Sequence, residues 1–190
     1  MPSQFAKNLT LKMPTYWENG FPFDTPMLIF AATHRSEMLD HFFRWITWFG
    51  SLYVLIPSAA LAAAALGHHR RRAEVALFLI GFGGAVLLAH LAKAMLARPR
   101  PGIVAPLVDM PVSSSFPSAH TTQIVAFALC SILIIRRILP EWQPLVTVLA
   151  VLLVAAVGVS RVYLQVHFPS DVLGGLVMGI VWVMTVRKFV

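Results

Sequence analysis

Apolar residues run along this chain in five stretches, each closed by a polar cluster or a run of basic residues. Trp45–Gly67 and Val75–Ala92 contain no Asp, Glu, Lys or Arg, and either can cross most of a bilayer as a helix. Three shorter runs follow, Thr121–Ile135, Leu145–Ser160 and Val172–Val186. Each abuts a polar cluster, so its helix can continue past a functional side chain at membrane depth. Five transmembrane helices are predicted. Ahead of them, Phe21–Phe43 mixes Phe21, Phe23, Met27, Leu28, Ile29 and Phe30 with Asp24, His34, Arg35, Glu37 and Asp40. That mixture predicts an amphipathic helix lying at the membrane surface; a re-entrant hairpin is the alternative. The expected architecture is an all-α integral membrane bundle, with an interfacial segment over residues 1–44 and the membrane domain over 45–190.

Composition agrees with that pattern. Of 190 residues, 58% are hydrophobic and only 12% charged, and the mean hydropathy is +0.75, too apolar for an ordinary soluble domain. Charge then orients the spans. Arg70–Arg72, Arg136–Arg137 and Arg187–Lys188 fall on one side if five helices alternate, and short basic loops stay cytoplasmic. Most acids, Glu18, Asp24, Glu37, Asp40, Asp109 and Asp171, take the other side. The net charge of +7 is accounted for by this anchoring and by a cationic pocket. Nucleic acid is not an expected partner, since no basic patch lies on a soluble recognition element. Met1–Asn19 lacks the long apolar core of a cleaved secretory signal. One cysteine, Cys130, excludes an intrachain disulfide and reads as a small core hydrophobe.

Chemistry is concentrated in three clusters: Lys93-x6-Arg100-Pro101, Pro117-Ser118-Ala119-His120 and Ser160-Arg161-x5-His167-x3-Asp171. All three fall on the side opposite the basic loops. Lys93, Arg100 and Arg161 supply cations for a phosphoryl group of at least two negative charges. Pro117 suits the first turn of a helix, whose free amides at Ser118, Ala119 and His120 favour an anion. His167 and Asp171 are spaced i, i+4, so a carboxylate can hold one imidazole nitrogen and leave the other to attack. His120 is then the acid for the leaving oxygen. Snorkelling is the bland alternative for Lys93, and an interfacial salt bridge is that for Arg161, His167 and Asp171. Charges at membrane depth are costly and so point to function. Arg98 is expected at the rim, His90 in a hydrogen-bonded packing role. No Cys/His or paired-carboxylate set offers a metal site, so neither metal nor cofactor is expected.

These three motifs, in this order and spacing, resemble the signature of the type 2 phosphatidic acid phosphatase superfamily, over about Lys93 to Asp171. Bacterial lipid phosphatases, glucose-6-phosphatase and vanadium haloperoxidases belong to it. The family usually has glycine where this chain has Ala119, whose methyl group narrows the approach of a phosphate to the backbone. The resemblance implies His167 as nucleophile through a phosphohistidine, Asp171 as its orienter and His120 as acid and then base. It implies Lys93, Arg100, Ser118, Ala119 and Arg161 around the substrate phosphate. The expected substrate is a membrane lipid phosphate, undecaprenyl diphosphate first, met at the outer face of the cytoplasmic membrane. Phosphatidylglycerophosphate, a lipid A phosphate or transfer to a lipid acceptor are the enzymatic alternatives, and lipid binding or transport the non-enzymatic one. No oligomeric state is implied.

Overall fold

The computed structural model describes residues 15–190; the expectation about a secretory signal rests largely on residues outside these. Among the described residues the chain is helical, without strands. Three short helices come first, α1 (Thr15–Asn19), α2 (Asp24–Thr33) and α3 (Glu37–Ile46), then a 3-10 turn at Thr47–Gly50. The membrane helices follow as α4 (Leu52–His68), α5 (Arg72–Phe78), α6 (Gly84–Leu96), α7 (Ala119–Ile138), α8 (Gln143–Tyr163) and α9 (Pro169–Val186). A π-helical turn at Leu79–Gly83 joins α5 to α6, so both belong to one span, Arg72–Leu96.

Four helices are long and apolar enough to cross a bilayer: Arg72–Leu96, Ala119–Ile138, Pro140–Tyr163 and Pro169–Val186. The first of the five expected spans is the exception. Helix α4 has 17 residues and qualifies only together with Glu37–Gly50, from which it bends by 44°. The bend has a local cause. Ser51 is extended and its hydroxyl accepts from the Tyr53 amide, so it caps a new helix where the apolar run of the sequence is unbroken. The amphipathic segment likewise divides in two. Ser36 caps α3 by accepting from Leu39 N, and the break at His34–Ser36 lets α2 and α3 both pack on α8.

Helix α7 is the central element, packed between α8 and α9. Leu77, Phe78, Phe82, Ile124, Cys130, Val157 and Val183 form the core around it. Cys130 is fully buried and its thiol donates to Leu77 O at 3.6 Å. Gly175 and Gly179 lie one turn apart on the α9 face toward α7. A Cβ at Gly175 would stand 2.7 Å from Ser118 O, and one at Gly179 3.0 Å from Thr122 O. Only glycine permits this backbone approach, a small-residue crossing typical of membrane helices. It brings the start of α9 against the start of α7, where the second and third clusters meet. Leu61, Leu87, Val148, Leu152, Val177 and Val181 remain exposed on the outside of the bundle, as lipid-facing side chains do.

Candidate active site

Four helix ends converge at one end of the bundle, opposite Arg70–Arg72, Arg136–Arg137 and Arg187–Lys188. Helix α6 arrives with Lys93 and stops at Ala97, whose left-handed conformation (φ 45°) turns the chain out of the helix. The connection to α7 then folds back over this end. Lys93 Nζ donates to Ser114 O and, at 3.2 Å, to Ser115 O, while Ser114 Oγ donates to Lys93 O at 2.6 Å. An ammonium has three protons, so one is left for the cavity. Arg100, in the same connection, donates from Nε to Ser113 O at 2.8 Å and from Nη1 to Val166 O at 2.6 Å. These bonds stake the guanidinium across to the loop after α8, with Nη1 3.2 Å from His167 Nε2.

Arg161 enters from the end of α8. Its Nη1 donates to Thr47 Oγ1 at 2.6 Å, and its Nε has no partner among the described residues. Together Lys93, Arg100, Ala119, His120, Arg161 and His167 line a cavity of about 270 Å³, with Ser51, Leu52, Tyr53 and Gln123 among its other walls. His120 makes no hydrogen bond among the described residues, so both ring nitrogens are available to a ligand. A tetrahedral anion in this cavity meets cations on several sides, an imidazole nitrogen and the N-terminal turn of α7, which is the electrostatic requirement for stabilising phosphoryl transfer.

Beneath the cavity lies a second, buried layer. His167 Nδ1 is 3.3 Å from Asp171 Oδ2, and with Nδ1–H donating, Nε2 keeps its lone pair toward Arg100. Burial pushes the His167 imidazole down to about 3, against the opposing pull of the Asp171 hydrogen bond, so it is neutral at physiological pH. Burial also lowers Arg100. Asp171 is completely buried. Its Oδ2 accepts from Ser115 Oγ and from Phe168 N at 2.9 Å, and its Oδ1 accepts from Arg98 Nη1 at 2.5 Å. Arg98 is itself fully buried among Trp17, Phe21 and Phe168. Its Nε donates to Trp17 O at 2.9 Å and its Nη2 to Asp24 Oδ2 at 3.2 Å. Asp24 closes the set by accepting from Ser170 N at 2.8 Å and Ser170 Oγ at 2.6 Å.

Three expectations change in this setting. Arg98 is not a rim residue: its side chain runs inward and bridges Asp24 and Asp171. Ser118 belongs to the N-cap of α7 and not to the cavity wall. Its hydroxyl accepts from Thr121 Oγ1 at 3.0 Å and its amide donates to Asp171 O at 3.0 Å, so the helix begins one residue after Ser118 and two after Pro117. His167 precedes α9 instead of sharing it; Asp171, in the first turn, reaches back to bond both the Phe168 amide and the imidazole. Arg98, Asp24, Ser115, Ser170 and Thr47 carry no weight in a linear reading. Their one advance signal is that Asp24 and Arg98 are charged residues in otherwise apolar surroundings. His90 keeps a packing bond, Nδ1 to Val86 O at 2.8 Å, at the cavity wall.

Comparison with known proteins places this arrangement in a class. The PAP2 superfamily matches residues 74–190, and the chain belongs to that superfamily. Phosphatidylglycerophosphatase B of Bacillus subtilis is 32% identical over 162 residues, 84% of this chain and 79% of the relative. Undecaprenyl-diphosphatase BcrC of the same organism is 31% identical over 157 residues, 80% and 76% of the two chains. In three dimensions, a crystal structure of a transmembrane PAP2 type phosphatidylglycerolphosphate phosphatase from Bacillus subtilis superposes with a TM-score of 0.79. That likeness covers 87% of this chain and 83% of the other at 31% identity.

Proposed function

We propose that this multi-pass membrane lipid phosphatase hydrolyses a lipid diphosphate, undecaprenyl diphosphate in the first instance, at the outer face of the cytoplasmic membrane. The observation that carries the reading is the cavity itself: Lys93, Arg100 and Arg161 around one volume, with His167 and His120 both open to it. His167 Nε2 attacks the terminal phosphorus, forming an N–P bond as the P–O bond to the leaving group breaks. His120 gives its proton to the departing oxygen. Water then attacks the phosphohistidine, His120 takes the water's proton, and the N–P bond breaks to release inorganic phosphate. Asp171 holds the His167 tautomer and stabilises the charge that ring gains on attack. The three cations supply the charge neutralisation, so no metal step is invoked.

A diphosphate brings more negative charge to Lys93, Arg100 and Arg161 together than a single phosphate does, and a slim prenyl tail fits between helices beside Leu52 and Tyr53. Both undecaprenyl-diphosphatase and phosphatidylglycerophosphatase relatives cover most of the chain, and the phosphatidylglycerophosphatase likeness supports a second reading, in which the leaving group is phosphatidylglycerol. Orientation rests on the basic loops at the far end of the bundle.

The test is phosphate release from farnesyl diphosphate, phosphatidylglycerophosphate and phosphatidic acid in detergent containing EDTA, with kcat/KM highest for the diphosphate. Labelled phosphate should become trapped on protein in a His120→Ala variant and be absent from His167→Ala. A preference for phosphatidylglycerophosphate selects the second reading. Loss of turnover on chelation, restored by magnesium, removes the mechanism.

A further inference from the structure

One polar side chain in the cavity has no task in the chemistry above. Gln123 is 2% exposed, lines the cavity with both histidines and the three cations, and makes no hydrogen bond to any described residue. Its neighbours behave differently. Thr121 and Thr122 bond back to Ser118. An amide with two donors and an acceptor, open to a cationic cavity and bonded to no described protein group, is free to pair with whatever occupies that cavity. Gln123 also stands one helical turn below His120, on the same face of α7. His167 and the free turn of α7 mark the position of the phosphorus under attack; His120 marks the leaving oxygen. The next group along the substrate, toward the membrane interior, therefore lies level with Gln123.

Resting on the reading of this cavity as a lipid phosphatase site, the geometry points to Gln123 as a specificity-determining contact for the leaving group: its amide N–H donates to a non-bridging oxygen of the lipid-linked phosphate, so the cavity recognises the second phosphoryl group of a lipid diphosphate. A neutral amide suits this place. It contributes a donor without adding a fourth charge, which would hold the anionic product after cleavage. A lipid monophosphate presents only its hydrocarbon chain there, leaving the amide unpaired, so the discrimination is that of a site built to hydrogen-bond a group its competitor lacks.

The test compares farnesyl diphosphate with farnesyl monophosphate in wild type, Gln123→Leu and Gln123→Glu, with unfolding temperature recorded for each. Gln123→Leu should cost the diphosphate about tenfold in kcat/KM, the scale of one hydrogen bond to a charged group, and the monophosphate far less. The diphosphate-to-monophosphate ratio should therefore collapse by about tenfold. Gln123→Glu places a carboxylate against the same phosphate and should lower the ratio further, mainly through KM. Equal losses on both substrates, or an unchanged ratio in both variants, overturn the assignment while leaving the phosphatase reading standing. Wild-type protein that turns over neither substrate ends that reading and this inference together.

Discussion

Arg98 and Arg100 are two residues apart in a stiff Arg-Pro-Arg-Pro stretch, yet they occupy different physical worlds. Arg100 lines the cavity, bonded to the Ser113 and Val166 carbonyls and the Ser113 hydroxyl, with Nη1 beside His167 Nε2. Arg98 turns inward to a site without solvent, where Asp24 and Asp171 flank it and three aromatic rings enclose it. One guanidinium lines the cavity; the other is sealed inside the protein. The contrast teaches that a phosphate site needs two kinds of cation. The first must line the cavity, where substrate oxygens can replace its protein acceptors. The second must be sealed from solvent, because it fixes the carboxylate that holds His167.

Removing each arginine separates these roles. Arg98→Ala leaves Asp24 and Asp171 buried without their shared cation, and breaking such a pair costs about 3–5 kcal/mol. The variant should unfold at a markedly lower temperature and lose activity with its fold. A thermal melt matching wild type would refute the structural role. Arg100→Ala should melt like wild type and lose about 10²–10³ in kcat, as removal of one donor to a transition-state oxyanion does. The contrast fails if the two substitutions give the same pattern.

A smaller effect is expected at Ser115, whose hydroxyl and backbone carbonyl serve different layers: Oγ bonds Asp171 while O accepts from Lys93. Ser115→Ala removes only the first bond. It should lower kcat by about tenfold with KM nearly unchanged, given about 1–3 kcal/mol for a carboxylate lone pair left short of a donor. A change confined to KM would mean that Ser115 touches substrate. Smallest of all is the resting charge of His167. Because burial holds it near 3, nitrogen NMR of labelled histidine should show a neutral ring protonated on Nδ1, unchanged from pH 7.5 to pH 5. Titration near 6.5, the ordinary histidine value, would show that His167 is more open to water than its 2% exposure indicates.

Much of the site was legible without coordinates. Lys93, Arg100, His120 and Arg161 are polar groups at the ends of apolar runs, and alternation of the spans alone sends all of them to one side. The i, i+4 pairing of His167 with Asp171 survives even though the helix starts after His167, since Asp171 in the first turn reaches back along the chain. Ser118 shows the opposite case. As the residue before a helix it is as plausible a cap as a ligand contact, and the choice went to the cap because Gly175 lets α9 approach closely enough for Asp171 O to take the Ser118 amide. The bend at Ser51 was also hidden, for an apolar run reads the same whether straight or broken.

The linear order of apolar runs and basic loops determined that this is a helical membrane protein with its phosphate chemistry gathered at one end. That follows from the bilayer, which demands internally bonded backbone and makes every buried charge conspicuous. Tertiary structure alone decided how the charges divide. Arg98 and Arg100 are equivalent to any rule based on spacing or composition. What separates them is Asp24, 74 residues away, and the Gly175–Gly179 crossing that carries Asp171 to its place. Whether a cation is sealed inside the protein or lines the cavity depends on long-range packing, and no local pattern encodes it.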